Sequence, residues 1–150
     1  IQVWLHTYAK SGIRDVFARY VFDTFTRQNF EAGISDPAKR IFVAEISDHL
    51  AGYVQLHMEA SCPVRKIVQP EVERLYVQEH FTGRGIGSAL FDRVLDSCRS
   101  HECGQLWLLV NRENSRAYRF YESKLFQKAG TVDFELESER HANDVLVRTV

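Results

Sequence analysis

The sequence predicts an α/β domain, and three observations predict it. Segments with a helical apolar period alternate with short apolar runs of strand character along the whole chain. One such strand, Val72 to Val77, leads through a short polar turn with Gly83, Gly85 and Gly87 at every second position. It continues directly into a helix with apolar residues at Ile86, Leu90, Val94 and Cys98. Gln105 to Val110 forms a continuous apolar run, the pattern of a strand covered on both faces.

The elements follow in order. Residues 1–10 suit a short helix with Trp4, Leu5 and Tyr8 on one side, broken by Ser11-Gly12. A second helix is expected from about Ile13 to Asn29, because Val16, Phe17, Tyr20, Val21 and Phe25 follow the i, i+3, i+4 rule. Residues 33–40, with Gly33, Asp36 and Pro37, read as a loop. Ile41 to Ile46 and Ala51 to His57 form a hairpin about Ser47-Asp48-His49. Cys62 to Pro70 is a connection, basic at Arg65 and Lys66. The helix after the glycines runs to near His101, with Gly104 as its stop. Asn114 to Lys124 is a helix carrying Ala117, Phe120 and Tyr121. Phe126 to Leu136 and Asp144 to Val150 are the last two strands. With no internal repeat or linker, residues 1–150 are expected to form one domain.

Composition narrows the function. The net charge of −1 predicts no nucleic-acid or anionic-membrane partner. No apolar run approaches the ~20 residues that span a bilayer, and no signal-peptide pattern opens the chain. Cys62, Cys98 and Cys103 lack metal-ligand spacing and read as reduced thiols of a cytoplasmic protein. The chain begins with Ile1 rather than Met, so an earlier segment is expected to have been removed or trimmed.

Strand, glycine turn and helix N-terminus make an anion site. The first helical turn has free N–H groups and the positive end of the dipole, and glycine lets a ligand come close. A P-loop would need Lys and Ser or Thr after its last glycine, but Ser88-Ala89 follows Gly87. The dinucleotide fingerprint fails as well, with Ser88 or Leu90 at its final position and no acid after Leu109-Val110-Asn111.

Gly83-Arg84-Gly85-Ile86-Gly87 resembles the pyrophosphate loop of the GNAT superfamily of acyl-CoA-dependent N-acetyltransferases. The preceding Glu73-Arg74-Leu75-Tyr76-Val77 and the downstream Asn114, Ala117, Phe120-Tyr121-Glu122 strengthen the resemblance. It covers almost the whole chain. It implies a mixed, mostly antiparallel sheet around a splayed central parallel pair, flanked by helices. The family's first strand would lie before Ile1 and is expected to be lost or trimmed. The first position of the family loop, usually Arg or Gln, is Thr82 here.

The resemblance also implies a co-substrate, acetyl-CoA, and a set of site residues. The coenzyme contacts it implies fall on Leu75, Tyr76 and Val77, where the family strand has a bulge, on Thr82, Gly83, Arg84, Gly85, Ile86, Gly87 and Ser88, and on Asn114 and Tyr121. Asn114 has an alternative role as the cap of its helix. Arg112 and Arg116 are candidates for a coenzyme phosphate or for solvated charges. By the same resemblance Tyr121 is the candidate general acid, with Tyr118 as competitor. Glu73 is the candidate base, sharing a strand face with Leu75 and Val77, and Glu71 is its weaker alternative. Glu73 has a structural alternative too, an ion pair with a neighbouring Lys or Arg. Leu125 replaces the family's left-handed glycine, so this helix is expected to end differently.

The chemistry needs these residue types. An attacking alkyl amine, with pKa near ~10, must lose a proton, and a thiol leaving group of pKa roughly 8.5 benefits from one. Ser88 and Cys62 lack an adjacent base, so direct attack in a ternary complex is expected. The six histidines form no metal-ligating spacing, and no metal is expected. Trp4, Tyr8, Gly12 and Ile13 resemble a polyamine N-acetyltransferase subgroup, and Glu135, Glu137 and Glu139 suggest an attraction for polycations or a solvated edge. A small amine or polyamine is the favoured acceptor. A peptide N-terminus or lysine, or a non-catalytic acyl-CoA sensor, are the alternatives. Val145, Leu146 and Val147 are candidates for a homodimer interface or for core.

Overall fold

The computed structural model describes residues 1–137 and 139–150, Glu139 by its backbone. Three helices come first: α1 (Gln2–Tyr8), α2 (Asp15–Thr24) and α3 (Arg27–Ser35). Then come β1 (Lys39–Ile46), β2 (His49–Ser61), β3 (Val68–Val77), α4 (Ile86–Ser100), β4 (Gln105–Asn111), α5 (Ser115–Ser123), β5 (Gln127–Leu136) and β6 (Glu139–Thr149). Among the described residues no helix is long and apolar enough to cross a membrane.

The single helix expected over residues 13–29 is two helices. Thr26 takes an extended conformation and its hydroxyl accepts the Asn29 N–H at 3.1 Å, an N-cap that starts α3. The Asn29 amide donates back to the Asp23 and Thr24 carbonyls, closing the end of α2. The capping pair overrides an apolar period that runs through it, and α3 occupies the first part of the expected loop.

The sheet has the order β1-β2-β3-β4-β6-β5. Every pair is antiparallel except β3–β4, which is parallel and joined at one bridge, Glu71 to Trp107. The central pair is therefore splayed. On one face α4 and α5 cover Val54, Leu56, Val72, Leu106, Leu108 and Leu146, with Phe91 and Val94 of α4 at the centre. On the other face, Trp107, Val145 and Val147 form one cluster and Trp4, Phe17, Val21 and Leu136 a second, beneath α1 and α2. Val145, Leu146 and Val147 are core of the chain itself, which removes them as a dimer surface.

A bulge in β3 corrects the expected strand face. Arg74 pairs with Gln55 and Val72 with Leu56, leaving Glu73 as the extra residue. Val72, Leu75 and Val77 all pack on the α4 side. Glu73 instead meets Gln55 and His57 on the opposite face, so it does not share a face with Leu75 and Val77. The bulge lies just before Leu75 rather than at Leu75–Val77.

The end of α5 also differs from expectation. Leu125 itself adopts the left-handed conformation, φ +65°. The Phe126 N–H reaches the Tyr121 carbonyl at 3.1 Å and the Leu125 N–H the Glu122 carbonyl at 2.9 Å, a Schellman closure without glycine. Burial of Phe126 against Tyr121, ring centroids 5.6 Å apart, holds it in place.

A left-handed non-glycine residue costs about 1–2 kcal/mol, and glycine's greater unfolded-state entropy offsets about 0.5–1 kcal/mol of that. The Leu125 side chain is exposed and contributes little burial. Leu125→Gly is therefore expected to raise the melting temperature by about 1–4 °C, while Leu125→Ala, which keeps the Cβ, gives no comparable rise. Calorimetry on the two variants checks this.

Candidate active site

The splay opens a cleft of about 520 Å³. One wall is Leu75 and Val77 of β3. The floor is the glycine turn and the start of α4, and the far wall is Asn114, Ala117, Phe120 and Tyr121. Val3, His6 and Thr7 of α1, with Lys10 in the turn after it, close the remaining side.

At the glycine turn, Gly83 and Gly85 are left-handed, φ +74° and +83°, and a Cβ on either would point into open space. Gly85 is the N-cap of α4, and no side chain caps that helix. Fifteen residues of helix thus present an uncapped N-terminus to the cleft. A Cβ at Gly87 would make an ordinary contact with the Phe120 ring, 3.6 Å away. Thr82 turns its hydroxyl to the Glu79 carbonyl at 2.7 Å and braces the turn. Arg84 lies over the Phe81 ring, centroid 5.5 Å away. Arg116 is paired with Glu79 at 2.9 Å across the rim.

The structure brings Leu75, Val77, Thr82, Gly83, Gly85, Gly87, Ser88, Asn114 and Tyr121 to this one cleft. Tyr76, Arg84, Ile86, Glu71 and Glu73 do not line it. Tyr76 packs edge-on against Tyr53, and Ile86 packs on the core. Asn114 caps α5: its Oδ1 accepts the Ala117 N–H at 3.1 Å while its Nδ2 donates to the Thr7 hydroxyl at 3.3 Å. Both ends of that amide are therefore engaged by the protein.

Tyr121 is 7% exposed, wedged edge-on between Phe120 and Phe126. Burial alone pushes its phenol well above the ordinary value, so it remains a protonated donor at neutral pH. Tyr118 is engaged elsewhere, with its hydroxyl 3.4 Å from Asp144. Burial would raise the Asp144 carboxyl, but hydrogen bonds from Lys128, Arg112 and Thr131 outweigh it and hold it at about 2. Arg112 is thus part of a structural network.

On the other face of β3, Glu73 is held by Lys39 at 3.1 and 3.2 Å, by the Gln55 amide, and by His57 at 3.5 Å. Glu71, at the bridge where the strands part, behaves differently. Burial, with the neighbouring Glu73 charge, raises its carboxyl to about 7, although Lys39 and Arg74 oppose the shift. The ligand atoms of His57, Glu71 and Glu73 lie within 4.8 Å of one another. No sequence spacing linked them, because β2 and β3 bring them together. Val3, His6 and Thr7 of α1 and Lys10 just after it were not among the expected site residues; the polar character of His6 and Lys10 was their only signal.

The acidic residues near the C-terminus are less available than the sequence suggested. Glu137 lies in a turn and pairs with Arg19 at 2.7 Å, and Glu135 pairs with Arg140 at 3.2 Å. The side chain of Glu139 lies outside the described residues.

The profile of the acetyltransferase (GNAT) family matches residues 6–125. The chain belongs to the GNAT acetyltransferase family. With that membership comes its class of activity, acetyl-CoA-dependent N-acetyl transfer. An uncharacterized N-acetyltransferase of Mycobacterium tuberculosis is 29% identical over 131 residues, 87% of this chain and 80% of that one. One of Lactobacillus delbrueckii is 24% identical over 152 residues, 99% of this chain and 87% of that one. Among solved structures, the PaiA N-acetyltransferase of Thermoplasma acidophilum, in complex with coenzyme A, superposes with TM-score 0.73 at 18% identity, covering 98% of this chain and 86% of that one. Arabidopsis thaliana NAA60, in complex with a bisubstrate analogue, gives TM-score 0.72 at 16% identity, covering 87% and 88%. These likenesses establish the fold, with its six-stranded mixed sheet.

The turn fits a pyrophosphate: the helix is uncapped and both left-handed glycines leave their approach open. A ligand at ~100 times its Kd stabilises by about 2.7 kcal/mol, which at this length raises the melting temperature by roughly 5–10 °C. Acetyl-CoA is expected to give this shift, and NAD or ATP none. Gly85→Glu should abolish it. Gly12→Glu, at another open positive-φ position that does not line the cleft (φ +116°), is also strained in its backbone and should retain it.

Proposed function

We propose that the protein transfers the acetyl group of acetyl-CoA directly to a small primary amine, with Glu71 as general base and Tyr121 as general acid. The observation that carries this is the arrangement at the β3–β4 split. An uncapped helix N-terminus closes one end of the cleft, a permanently protonated phenol stands on its wall, and a carboxyl held at about 7 sits where the strands diverge. NAA60 binds a bisubstrate analogue, which supports a ternary complex in this fold. The proposed reaction requires no metal and takes place in the cytoplasm.

Each group has a role set by its environment. The glycine turn and α4 bind the diphosphate. Ser88 offers a hydroxyl at the same end, and the edge of Leu75, Tyr76 and Val77 offers backbone partners to an extended arm. Tyr121 gives its proton to the departing thiolate. Glu71 takes the proton from the attacking amine, directly or through water. A base is most useful with a pKa near the working pH, and Glu71 meets that condition. Glu73, committed to Lys39 and Gln55, acts on Glu71 through its charge and so supports the base. A polyamine acceptor loses support because Glu135 and Glu137 are already paired. A peptide amine remains the alternative acceptor. A non-catalytic acyl-CoA sensor would release no thiol with any amine.

Two measurements test the assignment. Tyr121→Phe is expected to lower kcat by roughly 10²–10⁴-fold, the range of a general acid, while leaving the acetyl-CoA thermal shift in place. An equal loss of binding would remove the role. The pH profile tests the base. Wild-type kcat/KM should rise with pH through a limb near 7, and Glu71→Gln should abolish that limb. Glu73→Gln should retain it at lower pH, because the charge that raises Glu71 is gone. Stability should show the matching sign. The folded-state pKa of Glu71 lies above its unfolded value of 4.5, so its ionisation destabilises the fold as pH rises from about 4.5 to about 7. Glu71→Gln should therefore raise the melting temperature more at pH 8 than at pH 4.5.

A further inference from the structure

A second cavity, of about 280 Å³, lies beneath α3 on the face of the sheet opposite α4. Thr24, Asn29, Phe30, Lys39, Gln55 and Arg74 line it. It adjoins the carboxylate pair, because Lys39 and Gln55 are the groups that hold Glu73. The β3 bulge creates this arrangement. Strict alternation would send Glu73 and Arg74 to opposite faces, whereas the extra residue turns both toward Gln55.

The ion pairing here is incomplete. Lys39 is neutralised by Glu73 at 3.1 and 3.2 Å. Arg74 makes no ion pair among the described residues: Nη1 donates to the neutral Gln55 amide at 3.3 Å, and the guanidinium lies 5.8 Å from the centre of the Phe25 ring. A guanidinium carries five N–H donors in a planar fork. Asp36, the acid of the lining, accepts the Ala38 N–H at 2.9 Å. Outside the lining, the Tyr53 hydroxyl is buried with no hydrogen-bond partner, and its ring packs edge-on against Tyr76. A carboxylate is acceptor-only and takes a guanidinium fork in bidentate fashion.

We propose that this cavity is the subsite for a carboxylate on the acceptor, held by Arg74, so that the acceptor is an amino acid-like amine whose nitrogen is directed at Glu71. The proposal rests on the acetyltransferase reading above and narrows its acceptor class. Lysine is preferred to cadaverine, its decarboxylated counterpart, and phenylalanine to phenethylamine or phenylalaninamide.

The experiment measures thiol release from acetyl-CoA with matched sets of free amino acids, their amides and their decarboxylated amines. A charge-assisted contact is worth about 1.5–3 kcal/mol, so the best acid should exceed its amide by about tenfold or more in kcat/KM. Arg74→Met should remove that preference while leaving the acetyl-CoA thermal shift intact. In parallel, the same carboxylates are titrated against intrinsic tryptophan fluorescence, to which both Trp4, stacked on Tyr20 at 4.7 Å, and Trp107, bridged to Glu71, contribute. Saturable binding that Arg74→Met weakens by about tenfold supports the proposal without needing turnover. Equal or better acetylation of the amides and decarboxylated amines overturns it and leaves the acetyltransferase reading standing. So does a preference that survives Arg74→Met, or the absence of any Arg74-dependent binding. Loss of the acetyl-CoA shift in the wild type would instead strike at the acetyltransferase reading, while the fluorescence titration still decides the subsite.

Discussion

Glu71 and Trp107 form the one bridge between the two parallel central strands, and the rest of the molecule is arranged around the gap beyond it. Each strand is satisfied on its outer side. β4 pairs with β6 over its full length, from Gln105 with Thr149 to Asn111 with Asn143, while the end of β3 pairs with β2 as far as Val77 with Gly52. The inner edges past the bridge therefore have no strand partner. Backbone donors and acceptors left open in this way need other partners, and a ligand with its own amide groups, laid along Leu75 to Val77, can provide them. The bulge at Glu73 sets the terms for this. It returns Leu75 and Val77 to the α4 face after Val72 and turns two successive charged residues to the other face.

That division separates two kinds of chemistry. The α4 side offers an uncapped helix N-terminus and a wall of apolar side chains, an environment for a diphosphate and an extended arm. The other side holds ionisable groups close together under partial burial. Two carboxylates near one another cannot both ionise at ordinary pH without help. Lys39 and the Gln55 amide are committed to Glu73, whereas burial and the Glu73 charge raise the Glu71 carboxyl to about 7 against the pull of Lys39 and Arg74. Environments that push like groups apart in this way are how one site supports an acid–base division of labour.

Much of this was legible in the sequence. The glycine spacing, the strand before it and the apolar run of β4 each have a local physical cause, and all three elements formed where their patterns placed them. What was not legible depended on partners far away in the chain. An alternating strand pattern puts Glu73 beside Leu75 and Val77, and only the pairing of β2 with β3 shows that one residue is out of step. The division of α2 from α3 was hidden because the apolar period continues through Phe25, while the signal that decided it, Thr26 capping Asn29, is short. The grouping of His57, Lys39 and Gln55 around Glu73 draws on three strands and leaves no trace in spacing.

Leu125 shows how local strain and site geometry are connected. Its left-handed backbone is unfavourable for a branched side chain, and the exposed side chain returns little by burial. The conformation persists because of its neighbours. The turn at Leu125 allows the Phe126 N–H to reach the Tyr121 carbonyl and brings the Phe126 ring against the Tyr121 ring, with Phe120 on the other side. Aromatic edge-to-face contacts of this kind are worth about 0.5–1.5 kcal/mol each beyond their area, enough together to outweigh a left-handed leucine. They also fix the direction of the phenol on the cleft wall. The helix end that departs most from the family pattern is therefore the one whose packing clamps the candidate acid, and the loop chemistry was free to drift because the aromatic clamp, rather than glycine, determines where Tyr121 points.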